Sequence, residues 1–229
     1  FEDRVATGYF RWGIFISCWS IFVKLGSSNI LAVPAVFAPI TFLVTFLLAS
    51  HLTPGYSHIS DTVSSIATAG KPFALLARLG FMAYGILVIP LGFAFREIYK
   101  INNELWSAKV LVFLFCLYGI SALLAGIAID DLMGETTFWG LVHDLAAIMA
   151  FIGISGAIFI IGFKSGPLPH FVRTISQLAL IGTLISGVIF YLEPNQSIQG
   201  LLQRCFFATT LLWIQIVATL LVFKSNRYL

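Results

Sequence analysis

Charge is scarce in this chain: Asp, Glu, Lys and Arg make up 10% of 229 residues, against 59% hydrophobic. Soluble domains carry about a quarter charged residues, so a separate water-exposed domain is excluded, and the mean hydropathy of +0.97 agrees. Cysteine is nearly missing too. Cys18, Cys116 and Cys205 are the three, each in apolar sequence and without CxxC or CxxCH spacing. That excludes a disulfide framework, a thiolate metal site and c-type haem attachment, and leaves them as small packing residues. There is no block of basic residues, and a net charge of +3 gives no electrostatic footprint for nucleic acid, so no nucleic-acid partner is expected.

What the chain does have is long apolar runs. Six of them, Ile30 to Ala49, Leu79 to Phe95, Val110 to Ile129, Leu145 to Phe163, Ile175 to Leu192 and Cys205 to Phe223, hold 17 to 20 residues each. At about 1.5 Å per residue, such runs with polar flanks cross a hydrocarbon core of about 30 Å. The expected fold is therefore all-α, an integral membrane bundle of six transmembrane helices occupying residues 30–229. Small residues recur at helix-packing spacing, as in Ser121 with Ala125, Ala122 with Gly126 and Gly182 with Ser186; they allow close backbone approach where lipid gives no hydrophobic drive. No inverted repeat is visible, which weighs against a conventional transporter.

The few charges orient the bundle. Between the runs, ten of the thirteen basic residues (Arg4, Arg11, Lys24, Arg96, Lys100, Lys109, Lys164, Arg173, Lys224 and Arg227) fall on one side with only Glu2, Asp3, Glu97 and Glu104. That side, at +6, is expected to face the cytoplasm with both termini. The other side sets Lys71, Arg78 and Arg204 against Asp61, Asp130, Asp131, Glu135, Asp144 and Glu193, a balance of −3. Residues 1–29 read differently. Trp12 to Val23 is apolar but short and bracketed by Arg11 and Lys24, so it is expected to lie in the membrane interface, with its aromatic residues at headgroup level. No small-residue cleavage pattern follows it, so it does not read as a secretory signal.

The polar residues concentrate at the acidic side. The segment from His51 to Pro72 holds Tyr56, Ser57, His58, Ser60 and Asp61 after a Pro54-Gly55 turn, and its spacing predicts a short amphipathic helix with Ile59, Val63 and Ile66 inward. Glu135, Trp139 and His143 fall at i, i+4 and i+8 at the start of the fourth span, followed by Asp144. Arg78 sits in the outer end of the second span, and Gln203 and Arg204 open the sixth. Ionisable side chains within a span are costly and normally face one another or water, so one shared outward pocket is the natural reading. His58, Asp61, His143 and Asp144 are then the candidates for acid–base catalysis, and Arg78, Arg204, Tyr56 and Ser60 for holding a substrate, since the arginine fork suits an anionic group. His58, Asp61, Asp131 and His143 form a mixed nitrogen and oxygen set suited to a divalent metal, although no HExxH-type spacing is present. The bland alternative is that Arg78 and Arg204 neutralise Asp61, Asp144 or Glu193 and tie helices together.

The run PGYSHISDTVSSIATAGKP followed by ARLGF resembles the signature of an uncharacterised prokaryotic multi-span family, a domain of unknown function. There a tyrosine-serine-x-x-serine-aspartate-threonine loop follows the first span and an acid-bearing loop with a downstream helix histidine precedes the fourth. Here these are Tyr56, Ser57, Ser60, Asp61 and Thr62, then Asp130, Asp131 and His143, in a resemblance covering roughly residues 33 to 223. It implies a fold and a place in a prokaryotic cytoplasmic membrane, with no activity attached. Three functions follow as expectations: binding or hydrolysis of an amphiphile or lipid headgroup; a b-haem electron-transfer subunit with His51 and His143 as axial ligands; or an accessory subunit of a larger membrane complex. Membrane lipids are the expected partners.

Overall fold

In the computed structural model, residues 27–131, 137–164, 166, 168–192 and 197–224 are described. They form six long helices: α1 (Ser27–Leu52), α2 (Ala74–Ile101), α3 (Leu105–Ile127), α4 (Phe138–Phe163), α5 (His170–Leu192) and α6 (Gln199–Lys224). All six are long and apolar enough to cross a membrane, with mean hydropathy between 1.9 and 2.5 over the most apolar windows. No strand occurs among the described residues. Each helix contains one of the six apolar runs and extends into the polar flanks, except that α3 stops at Ile127, two residues before the apolar run ends. The interfacial segment expected over residues 1–29 lies almost wholly outside the described residues.

Each helix packs on the next in sequence, and α6 returns to α1. This closes the ring. Asn29 Nδ2 donates to the Val222 carbonyl (3.0 Å), joining the first turn of α1 to the last of α6. The backbones of α2 and α3 touch where they cross: a Cβ on Gly85 would lie 2.4 Å from the Gly119 carbonyl oxygen, and one on Gly119 would lie 2.5 Å from that of Gly85. Dispersion between touching backbones replaces the hydrophobic drive that lipid cannot give.

Inside the ring, the rings of Phe42, Phe81, Tyr84 and Phe207 meet within about 5 to 6.3 Å, and Phe95, Phe115 and Trp213 stack below them. Several polar groups there are paired across helices, as a low-dielectric interior favours. Tyr84 and Tyr118 share a 2.6 Å hydrogen bond, Trp213 Nε1 donates to Ser176 Oγ (2.9 Å), and Gln177 Nε2 donates to the Gly162 carbonyl (2.9 Å). Gln215 departs from this pattern. It bonds Thr219 within its own helix and leaves its Oε1 buried without a partner among the described residues. The outer surface is apolar, with Phe113 at 64% and Leu178 at 64% exposure, as lipid-facing residues should be.

The segment between α1 and α2 corrects one expectation. It holds a single 3-10 turn, Ser64–Ala67, instead of an amphipathic α-helix. Val63 and Ile66 are buried as expected, but Ile59 points out at 58% exposure. Backbone and side-chain bonds of the loop itself, described next, compete with a regular helix and win.

Candidate functional site

The sequence-selected residues come from the end of the bundle carrying the 53–73 loop, the C-terminus of α3 and the N-termini of α4 and α6. The structure gathers them into two groups, joined by no hydrogen bond, ion pair or ring contact among the described residues.

In the first group the loop folds over the start of α6. Asp61 closes a turn on Ser57: its Oδ2 accepts the Ser57 N–H (2.7 Å) while its own N–H donates to the Ser57 carbonyl (2.9 Å). Ser57 Oγ in turn accepts the N–H groups of Ile59 and Ser60 at 3.3 Å, an arrangement of Ser and Asp that satisfies backbone donors locally and so displaces helix. The first N–H groups of α6, which no helical carbonyl can reach, donate to this loop: Gly200 to the Ser60 carbonyl (3.2 Å) and Leu201 to that of Ile59 (2.9 Å). Gly200 permits the approach, since a Cβ there would lie 2.3 Å from the Asp61 carbonyl oxygen.

Arg204 sits at the centre of this group. Its Nη1 donates to the carbonyls of Asp61 (2.9 Å) and Gly200 (2.6 Å), and its Nη2 donates to the Tyr56 hydroxyl. The guanidinium lies 5.4 Å from the Phe46 ring centre and 5.5 Å from that of Tyr56, within cation–π reach. Its Nε is buried without a hydrogen-bond partner among the described residues. The Tyr56 hydroxyl in turn donates a hydrogen bond to the Thr62 carbonyl (2.8 Å). Burial pushes its pKa up to about 12, against the opposing pull of Arg204. His58, exposed, stands edge-on to Tyr56 (5.3 Å, 88°) and Phe46 (6.1 Å, 83°). Partial burial, then the Arg204 charge, lower its pKa below the ordinary imidazole value. Ser60 contributes its carbonyl, and Gln203 holds the Val63 N–H through Oε1.

The second group forms where α3 ends and α4 begins. Thr137 caps α4: its Oγ1 accepts the Gly140 N–H (3.0 Å). Asp131 accepts from the Thr137 N–H (2.8 Å) and Oγ1 (2.5 Å), and lies against the first turn of α4, where a Cβ on Gly140 would meet its carboxylate at 1.9 Å. The Thr137 hydroxyl and amide hold the Asp131 carboxyl below the usual range, with a smaller contribution from His143. His143 is buried, 5% exposed. Its Nδ1 faces the Ala125 carbonyl (3.0 Å) and that of Ala128 (3.4 Å), which makes Nδ1 the protonated nitrogen and turns Nε2 toward Asp130 Oδ2, 4.0 Å away. Asp144 is exposed one residue further on and forms no ion pair among the described residues.

Arg78 belongs to this second group and is engaged with backbone as well. Its Nε donates to the Gly126 carbonyl (2.9 Å) and Nη2 to that of Ile127 (2.7 Å), so a cation satisfies the last carbonyls of α3, where the helix dipole favours it. Neither arginine pairs with a carboxylate among the described residues. The neutralising role open to them is not what the structure shows for Asp61 or Asp144; Glu135 and Glu193 lie outside the described residues. The four candidate metal ligands divide between the groups, His58 and Asp61 in the first and Asp131 and His143 in the second. Among the described residues no three His, Cys, Asp or Glu side chains gather as a metal site. His51, the second candidate haem ligand, is exposed at the last turn of α1.

Sequence reasoning missed Gly200, Phe46 and the capping Thr137. For Thr137 a signal existed, a threonine directly before an apolar helical run. For Gly200 and Phe46 none did, because their role exists only once α6 meets α1.

The fold and the chemistry at its ends define a multi-pass helical membrane protein. Within that class, the chain belongs to a family described as protein of unknown function (DUF998), whose pattern matches residues 36–220. Comparison with curated proteins and with solved structures finds no match.

Proposed function

We propose that the protein binds the polar headgroup of a membrane amphiphile at the acidic end of the bundle, with His143 and Asp130 as a proton-exchanging pair beside Asp144. The observation that carries this is the buried His143, whose Nδ1 is fixed on an α3 carbonyl so that Nε2 is offered to Asp130 at 4.0 Å. At 4.0 Å the two groups are beyond direct hydrogen-bond reach, and one bridging water would complete the proton path between the fixed imidazole and the carboxylate. Among the described residues no arginine comes within ion-pair distance of Asp130, Asp131 or Asp144, which favours a headgroup offering hydrogen-bond donors, an amine or hydroxyls, over a bare phosphate. In this reading Arg78 and Arg204 are positioning residues, and Tyr56, His58, Ser60 and Asp61 form the rim. For hydrolysis, His143 would take the proton of a water whose oxygen attacks the headgroup ester and return it to the alcohol that leaves. The segregation of Lys and Arg supports an outward-facing site, and a prokaryotic cytoplasmic membrane is what the resemblance of the 54–72 loop implies.

The test uses Asp144→Asn, because Asp144 is exposed and forms no ion pair among the described residues, so the fold should survive. Native mass spectrometry of protein extracted from its membrane should show a bound amphiphile in the wild type, lost in Asp144→Asn and His143→Gln, with an unchanged melting temperature in the former. Equal occupancy in all three would refute the reading. Loss of a co-purifying subunit with occupancy intact would move the weight to an accessory role.

A further inference from the structure

We propose that the opposite, basic end of the bundle carries a binding site for an anionic phospholipid, with an acyl chain in a furrow between α3 and α4 and the headgroup phosphate on Lys164. The furrow has a volume of about 460 Å³ and is lined by Trp106, Phe159, Ile160, Phe163 and Lys164. Phe159 and Phe163, one helical turn apart, stack at 5.3 Å and 19° to form an aromatic wall, and Trp106 stands on the first turn of α3, 59% exposed. Nothing about such a wall selects one lipid over another, since acyl chains are as apolar as the side chains they touch. Selection rests on the mouth of the furrow.

There the Lys164 ammonium lies 4.3 Å over the Trp106 ring and 3.6 Å from Glu104 Oε2. It is held in place, yet its three N–H donors make no hydrogen bond among the described residues, so they are available to phosphate oxygens. The surrounding charge has the right sign. At this end the described residues include Arg96, Lys100, Lys109, Lys164 and Arg173 against Glu97 and Glu104; with Arg96 beside Glu97 and Lys164 beside Glu104, the surplus positive charge is that of Lys100, Lys109 and Arg173. Trp and Lys side by side at a helix end are the residues that anchor at headgroup level, and one basic group near the surface favours an anionic lipid by about fivefold. This site is separate from the acidic end and stands or falls independently of the function proposed there.

The experiment reconstitutes the full chain in phosphatidylcholine bilayers doped with brominated phosphatidylglycerol or with brominated phosphatidylcholine. Trp106 emission is taken as the difference between wild type and Trp106→Phe. The expected result is several-fold stronger quenching by the brominated phosphatidylglycerol at equal mole fraction. Lys164→Gln should abolish that preference while chain contact still quenches, and Glu104→Gln, which leaves the ammonium unopposed, should increase it. Equal quenching by the two lipids, a preference surviving Lys164→Gln, or a preference that falls in Glu104→Gln would each overturn the proposal.

Discussion

Replacing Gly200 by alanine tests whether the 53–73 loop is held by the start of α6. The added Cβ would lie 2.3 Å from the Asp61 carbonyl oxygen, 2.7 Å from Arg204 Nη1 and 2.8 Å from the Ile59 carbonyl oxygen. Unstrained contacts between heavy atoms are nearer about 3.5 Å, so the loop backbone must retreat by roughly 1 Å, and a carbonyl, unlike a side chain, cannot rotate aside. That movement removes the Gly200 to Ser60 bond (3.2 Å) and the Leu201 to Ile59 bond (2.9 Å), and the Arg204 to Asp61 bond (2.9 Å). Two neutral bonds contribute about 1 kcal/mol each and a charge-assisted one about 1.5–3 kcal/mol. Water reaching the exposed loop offsets part of this, leaving a cost of about 2–4 kcal/mol. At about 1.4 kcal/mol per tenfold, the loop should open roughly 30- to 700-fold more often. Hydrogen exchange of residues 55–66 in lipid nanodiscs reads this directly, and protection in α2 and α3 should not change. Gly55→Ala is the control: its φ of +73° strains alanine, but the new Cβ meets nothing within 4 Å, so the cost is about 1–2 kcal/mol and the docking bonds persist. Undiminished protection of 55–66 in Gly200→Ala would refute the reasoning.

Two further outcomes follow from the same geometry. Arg78→Gln strips the cation from the α3 carbonyls of Gly126 and Ile127 and should destabilise the protein by about 1–3 kcal/mol, with Arg78→Lys recovering only part because lysine lacks the fork; an unchanged denaturation midpoint in both would contradict the capping role. Tyr56 titrates late, its folded pKa of about 12 standing above the ordinary value of 10.0. The folded protein therefore keeps this proton longer than the unfolded chain, and the stability this contributes is present below pH 10 and is lost as pH rises from 10 to 12. Ultraviolet difference titration of wild type minus Tyr56→Phe should show tyrosinate appearing only in that window and above, and ionisation at pH 10 would show that the hydroxyl is not held.

Much of the architecture follows from local pattern. A run such as Val110 to Ile129 is long enough to span and too apolar to do otherwise, whatever its neighbours. The segregation of basic and acidic charges to opposite ends is equally local, since Arg96 and Lys100 follow one run while Asp130 and Asp131 follow the next. The amphipathic helix expected after α1 failed for a local reason that competes with periodicity: Ser57 and Asp61 satisfy backbone donors themselves and hold the chain in turns.

Hydropathy and charge placement, properties of residues taken in order along the chain, determined six spans, their order and the end at which each ionisable side chain lies. The rotation of each helix about its axis and the return of α6 to α1 were decided only in three dimensions. Those two facts put Arg204 on the loop carbonyls beside Phe46, Arg78 on the end of α3, and His143 against Asp130. The reason is that a span can turn about its own axis without changing its hydropathy, so depth is written in the sequence while azimuth is set by packing against neighbours, above all at glycines such as Gly85, Gly119 and Gly200 where backbones touch.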